Sequence, residues 1–92
     1  MNFPHSFVAT VSRREFLRLL PAAVGGDNFI AEGDVIEGES GWRMRLTALP
    51  GAEFGQAVLQ RQQVAISFNG WSTGEMDAFM RRFSLYFQRG GG

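Results

Sequence analysis

Apolar residues recur along the chain at two spacings, and these spacings predict where strands and helices lie. Alternate positions are largely apolar in 7–11, 42–48 and 63–69, which is the period-2 pattern of a half-buried strand. After Ser12 and again after Ser72, apolar residues recur every three or four positions, as on one face of a helix. The pattern therefore predicts several strands and two amphipathic helices.

Each predicted helix begins with a capping box, in which a serine oxygen accepts from an early helical N–H and a glutamate reaches back. The two boxes are 12–15 and 72–75. Pro21 should kink the first helix or end it near Leu20, because proline lacks an N–H donor. Gly90 should cap the C-terminus of the second helix. One apolar stripe on the second helix should cover the sheet, and it consists of Met76, Phe79, Met80, Phe83 and Phe87.

The stretch 28–49 has the pattern of a hairpin whose turn is 38–41. A loop of four residues sets the register of the two strands. The cross-strand pairs that follow from it are Glu37 with Trp42, Val35 with Met44, Ile36 with Arg43 and Asp34 with Arg45. One sheet face is then largely apolar, and the other carries an ion pair.

The next part of the chain is ambiguous. The Pro-Gly pair at 50–51 indicates a turn. The segment 54–60 is apolar but alternates imperfectly, so its assignment as a strand stays open. If it is a strand, a tight turn at 61–62 pairs Leu59 with Val64.

The order of elements is therefore β-α-β-β-(β)-β-α, where the bracketed strand is 54–60. Hairpin-linked strands and two amphipathic helices predict an α+β fold with two layers, an antiparallel sheet carrying the helices on one face. This order resembles the β-α-β4-α layout of the TATA-binding-protein-like fold, a resemblance that implies the fold alone. The length of 92 residues predicts one small domain over 1–92.

Composition argues against several kinds of chemistry. The chain has no cysteine, and its one histidine, His5, lies beside the N-terminus. These facts exclude disulfides and thiolate catalysis and argue against a histidine-rich metal site or a Ser-His-Asp triad. No apolar run approaches the ~20 residues of a membrane-spanning helix. We expect a protein that is not an enzyme, with no catalytic residue, metal, cofactor or membrane contact.

The charged residues suggest two surfaces. Arg13 and Arg14 on the first helix and Arg81 and Arg82 on the last are candidates for a basic strip that binds phosphates or an acidic partner. The alternative is that they are the solvated faces of two helices. Nine basic and nine acidic residues balance, which argues against nucleic-acid binding. Five acids lie within 27–39, which indicates a solvated edge or a strand that faces a partner.

Two short motifs resemble signals read by other proteins. The segment from Ser12 to Leu17 resembles a twin-arginine export signal, but the apolar stretch after it is only six residues long. We interpret it as the start of a structural helix and expect a cytoplasmic protein. The Arg-Gly-Gly-Gly end at 89–92 resembles the tail of ubiquitin-like modifiers and sulfur carriers. Because it follows a helix, we interpret it as a helix end.

The sheet face away from the helices is the candidate functional surface. Its mixture of apolar residues and arginine suits a protein interface. The function we expect is a non-catalytic protein-interaction module, including a homodimer that uses this face. The alternatives are a small apolar-ligand or lipid binder with a pocket between helices and sheet, and a nucleic-acid binder that uses arginines. The interface candidates are Ile36, Arg43, Arg45, Thr47 and Val58, with Val8, Thr10, Ala65 and Ser67 beside them.

Overall fold

The computed structural model describes residues 5–55 and 57–87. Within them, seven elements follow one another: β1 (Ser6–Ala9), α1 (Arg13–Val24), β2 (Phe29–Glu32), β3 (Val35–Gly38), β4 (Trp42–Phe54), β5 (Ala57–Phe68) and α2 (Thr73–Phe87). The strands form one five-stranded antiparallel sheet in the order β1-β5-β4-β3-β2. The predicted α+β class is confirmed. The resemblance to the TATA-binding-protein-like fold stays a prediction.

The core lies between the two helices and the inner face of the sheet. Phe16 and Leu20 of α1 and Met80 and Phe83 of α2 are fully buried. The ring of Phe83 stands edge-on to Phe7 of β1, with 5.6 Å between centroids, an arrangement that adds to the stabilisation from burial. Both helices therefore cover the same face. Neither described helix is long and apolar enough to cross a membrane.

Helix α1 begins with one half of the predicted capping box. The backbone N–H of Glu15 donates to Ser12 Oγ at 3.1 Å. The Glu15 carboxylate accepts instead from Arg18 Nε, at 3.0 Å. Ser12 therefore satisfies one early N–H, and Glu15 serves an ion pair on the helix surface.

Pro21 does not end α1. The helix continues to Val24 and closes at Gly25, whose φ of +85° is the left-handed conformation of a helix C-cap. The carbonyl of Pro21 accepts from the N–H of Gly25 at 3.0 Å. Leu20 and Ala23 are buried on either side of Pro21, so packing against the sheet holds this turn in place despite the missing N–H.

Helix α2 has the complete capping box. Ser72 N donates to Glu75 Oε1 at 3.0 Å, and Glu75 N donates to Ser72 Oγ at 3.2 Å. Its predicted stripe faces the core, with Met80 and Phe83 buried and Phe79 partly buried. The predicted cap at Gly90 lies outside the described residues.

The predicted hairpin over 28–49 contains three strands in a different register. β2 and β3 are joined by a two-residue turn at 33–34. The next loop has three residues between Gly38 and Trp42 rather than four, and Gly41 N donates to Gly38 O at 3.1 Å. Gly41 has a φ of +107°, which glycine adopts readily.

This shorter loop moves β3 by one residue relative to the prediction. Ile36 pairs with Met44, and Val35 pairs with Arg45. A shift of one residue exchanges the two faces of a strand, because successive side chains point to opposite sides. The predicted register is therefore wrong, including the predicted pair of Asp34 with Arg45.

β4 and β5 form one long hairpin. Segment 54–60 contains the end of β4 and the start of β5, so the predicted turn at 61–62 is wrong. Leu59 pairs with Ala52 rather than with Val64. Gly55, with a φ of +63°, lies at the true turn.

The Pro-Gly pair at 50–51 lies inside β4 and is a bulge rather than a turn. The register shifts between Leu49 and Ala52, so that two residues of β4 lie opposite one of β5. The guanidinium of Arg61 donates to Pro50 O at 2.8 and 3.1 Å. Proline is tolerated here because a bulge interrupts the backbone ladder.

Candidate functional site

The sheet face away from the helices, called the open face below, carries exposed side chains from at least four strands. On β4, Met44 and Leu46 are buried on the inner face, so Arg43, Arg45 and Thr47 point outwards, and all three are exposed. Their role as interface residues stays a prediction. Alternation along β1 and β5 adds exposed residues of the same face, which are Val8, Ala65 and Ser67.

Two of the predicted interface residues do not belong to the open face. Ile36 has no exposed surface and lies in the core, because the three-residue loop turns it inwards. Val58 is 63% exposed, but it is an even number of residues from the buried Val64 and Ile66 and so lies on the same side of β5 as they do. Val58 is exposed although it lies on this side, because it belongs to the long β4–β5 hairpin.

Two rows of side chains cross the open face at right angles to the strands. Paired residues of neighbouring strands lie side by side in each row. The first row, called the Glu37 row, contains Ile30, Glu37, Arg43 and Ser67. The second row, called the Val35 row, contains Glu32, Val35, Arg45 and Ala65.

Charges on the open face are divided between strands. Glu32 lies on β2 and Glu37 on β3, whereas Arg43 and Arg45 lie on β4. Arg43 Nε is 3.6 Å from Glu37 Oε1, a cross-strand ion pair whose two side chains are both largely exposed. In water such a pair contributes little to stability, in the range of about 0–1 kcal/mol. Both groups therefore remain available to a partner.

A groove of about 510 Å³ lies on the acidic half of the open face. Ile30, which is 69% exposed, and the partly exposed Val35 give it apolar walls. A surface with exposed aliphatic groups and several charges is typical of binding sites for protein chains. The residues that line the groove are Ile30, Glu32, Val35, Glu37, Gly38, Glu39 and Arg43.

The sequence prediction missed Ile30, Glu32, Val35 and Glu37 as members of this face. The signal in the sequence that identifies these residues is the Gly-Asp pair at 33–34, because Gly-Asp is typical of a two-residue hairpin turn. If 33–34 is a turn, 29–32 becomes a separate strand beside β3. Its alternate residues then fall on the open face.

The four arginines of the predicted basic strip do not form one cluster. Arg13 donates to the Gly33 carbonyl at the N-terminal end of α1. Arg82 Nε donates at 3.0 Å to the Ala22 carbonyl, near the C-terminal end of α1. Ala22 is nine residues along α1 from Arg13, a distance of about 13 Å at 1.5 Å per residue. The guanidinium groups of Arg13 and Arg82 thus donate to backbone carbonyls. The other two arginines, Arg14 and Arg81, are exposed.

Titratable groups with perturbed pKa values lie at helix starts rather than on the open face. A hydrogen bond from Arg18 lowers the pKa of Glu15, and the same contact raises the pKa of Arg18. The backbone N–H of Ser72 lowers the pKa of Glu75. These shifts belong to helix capping and surface pairing.

The open face is therefore the candidate functional site, and its groups suit binding. In the described part of the chain, no group of three or more histidine, aspartate or glutamate side chains is arranged to hold a metal ion. Guanidinium and carboxylate groups beside exposed aliphatic side chains can recognise another polypeptide. No protein-family model matches the chain, and neither a curated protein nor a solved structure matches it.

Proposed function

We propose that the protein is a non-catalytic protein-interaction module that docks its partner on the open face. The observation that carries this proposal is the groove that Arg43 lines, because it combines aliphatic walls with charges of both signs. Arginine is enriched in protein interfaces, where its flat guanidinium forms directed hydrogen bonds. The aliphatic groups contribute burial when a partner covers them.

The alternative functions have less support. A ligand between helices and sheet would need space now filled by fully buried side chains such as Phe16, Met44 and Phe83. Two of the grooves described for this chain lie on the open face, and the third lies between the end of α1 and Trp42, where glycines and polar residues form most of the lining. A nucleic acid would meet Glu32 and Glu37 beside the arginines of the open face, and these carboxylates repel phosphate.

We also propose a cytoplasmic location. The residues from Ser12 to Leu17 begin α1, and Phe16 within them is fully buried against α2. Export processing would remove this segment together with the apolar residues after it, which takes Phe16 and Leu20 out of the core. A domain of this size depends strongly on each large core residue.

The docking role is tested by thiol labelling, because the chain has no cysteine of its own. Ser67→Cys places a thiol on the open face, and Ala78→Cys places one on an exposed position of α2, away from the sheet. Both variants are labelled with a membrane-permeant maleimide in the native cell and as dilute pure protein. We expect the ratio of the Ser67→Cys rate to the Ala78→Cys rate to fall several-fold in the cell.

The same measurement can contradict the proposal. If the ratio of the two labelling rates is the same in the cell and in dilute solution, the open face is free and the docking role is wrong. Thr47→Cys is a second thiol on the open face, also at an exposed position. It should be protected together with Ser67→Cys, because a docked protein covers several strands at once.

A further inference from the structure

We infer that the occupant of the open face is a second copy of this chain, an inference that rests on the docking role proposed above. The two copies pack face to face about a two-fold axis that runs along the strands, between β3 and β4. Such an interface is self-complementary, because each copy contributes the same patch. The charges, the ion pair and the groove each support it.

The layout of charge on the open face favours one arrangement of the two copies. Acids occupy β2 and β3 on one side of the axis, and arginines occupy β4 on the other. Rotation about an axis along the strands exchanges the two sides, so the acids of each copy face the arginines of the other. Rotation about an axis across the strands would place acid over acid and arginine over arginine, which is repulsive. The charge pattern therefore selects the first arrangement.

The Glu37 row brings opposite charges of the two copies together. In the face-to-face arrangement, Arg43 of each copy meets Glu37 of the other, and in each copy Arg43 Nε already lies 3.6 Å from Glu37 Oε1. The four charges then alternate in sign around the two-fold axis. Burial of a charge is unfavourable when the charge loses its partners, and here each charge keeps one partner and gains another.

The groove offers a site for Arg45 of the second copy. Arg45 of the second copy lies opposite Val35, at the edge of the groove that also contains Glu32. An arginine side chain suits this site, because its aliphatic stem can cover Val35 while its guanidinium reaches a carboxylate. β2 of each copy lies over β5 of the other, so Ile30 is covered by the region of Ser67 and loses its exposure to water.

The small size of the face limits the strength of the association. Strands β2 and β3 have four residues each, so four overlapping strands at about 4.8 Å spacing and four residues at about 3.4 Å give a footprint of about 260 Å² per copy. The total of about 520 Å² is well below that of most stable complexes, so the association is weak. We therefore expect a reversible dimer with a dissociation constant in the high micromolar range.

The first measurement is the mass of the pure chain by sedimentation equilibrium, from about 1 μM to about 1 mM. We expect a monomer at the low end and a dimer at the high end. A chain that stays monomeric throughout overturns the inference. If Ser67→Cys is nevertheless protected in the cell, the docking role stands and a different protein occupies the face.

The second measurement uses charge reversal to test the arrangement. Arg43→Glu alone and Glu37→Arg alone each place like charges opposite one another in a homodimer, and each should weaken it at least ten-fold. A mixture of the two variants should restore association to near the unchanged level, because every cross-copy pair then has opposite charges. Both positions are exposed, so folding of the monomer should be unaffected, and circular dichroism checks this.

Two further results would overturn the inference. Dimerisation that neither reversal weakens would use another surface of the chain. Failure of the mixture to associate more tightly than either variant alone would exclude the pairing of Arg43 with Glu37 of the second copy. Arg14→Glu is the matched control, since it reverses an exposed arginine on α1 and should leave the dissociation constant unchanged.

Discussion

Replacement of Ile36 by alanine tests the register of β3, on which the composition of the open face depends. The side chain is completely buried, whereas the neighbouring Val35 is partly exposed on the open face. Ile36→Ala removes three carbon atoms, and at about 0.8 kcal/mol for each the loss of burial is about 2.4 kcal/mol. The cavity left behind raises the total to about 3–4 kcal/mol.

Val35→Ala is the matched control on the same strand. It removes two carbon atoms from a partly exposed side chain, so we expect a loss below about 1 kcal/mol. The whole domain is expected to have a free energy of unfolding of roughly 5–14 kcal/mol. Ile36→Ala therefore removes a large part of the stability, and Val35→Ala removes little.

The assay is urea unfolding followed by tryptophan fluorescence. Trp42 is suitable as the probe because its buried ring packs against Phe29 and Phe79 and becomes exposed on unfolding. The protein is kept below the concentration at which it dimerises, since association adds to the apparent stability. If Ile36→Ala and Val35→Ala destabilise the fold equally, β3 does not have the register described here.

Two further predictions concern the close contact of Gly38 with Trp42 and the titration of Glu75. A β-carbon at Gly38 would overlap the indole of Trp42, so Gly38→Ala should lower the free energy of unfolding by about 1–3 kcal/mol. Gly26→Ala, with open space around it, should have a much smaller effect in the same urea titration. The hydrogen bond from the Ser72 N–H lowers the pKa of Glu75 in the folded chain. This hydrogen bond therefore stabilises the fold fully above about pH 4.3, the pKa of glutamate in the unfolded chain. The stabilisation is lost as the pH falls through the lower pKa of the folded chain. The stability advantage of the unchanged chain over Glu75→Gln should therefore disappear in acid, and an advantage that grows as the pH falls would contradict this sign.

Some elements could be predicted from the sequence because two local signals agree. At α2, the Ser72–Glu75 box marks the start and the stripe through Phe83 marks the buried face, and both are local. The register of β3 could not be predicted in this way. A loop of three or four residues fits the glycines at 38 and 41 equally well, and that one residue decides whether Ile36 or Val35 is buried.

The remaining errors have similar physical causes. The Pro-Gly pair at 50–51 has the composition of a turn, and only the pairing of its neighbours Leu49 and Ala52 with β5 makes it a bulge. Arg13 and Arg82 are candidates for the basic strip, but Arg13 donates to the carbonyl of Gly33 in the β2–β3 turn and Arg82 to that of Ala22 in α1. Those carbonyls belong to residues about 20 and 60 positions away, which no local pattern connects.

The pairing of β1 with β5 joins two parts of the chain that are far apart in the sequence. Gln63 Nε2 donates to Ser6 Oγ at 2.6 Å across 57 residues, and Phe7 pairs with Val64. Within the described sheet β1 pairs with β5 alone, so during synthesis β1 waits for this partner until β5 leaves the ribosome. Because contacts of large sequence separation slow folding, we expect the docking of β1 to be a late step. Until then, the edge of β5 is open to chaperones and to misassembly with other nascent chains.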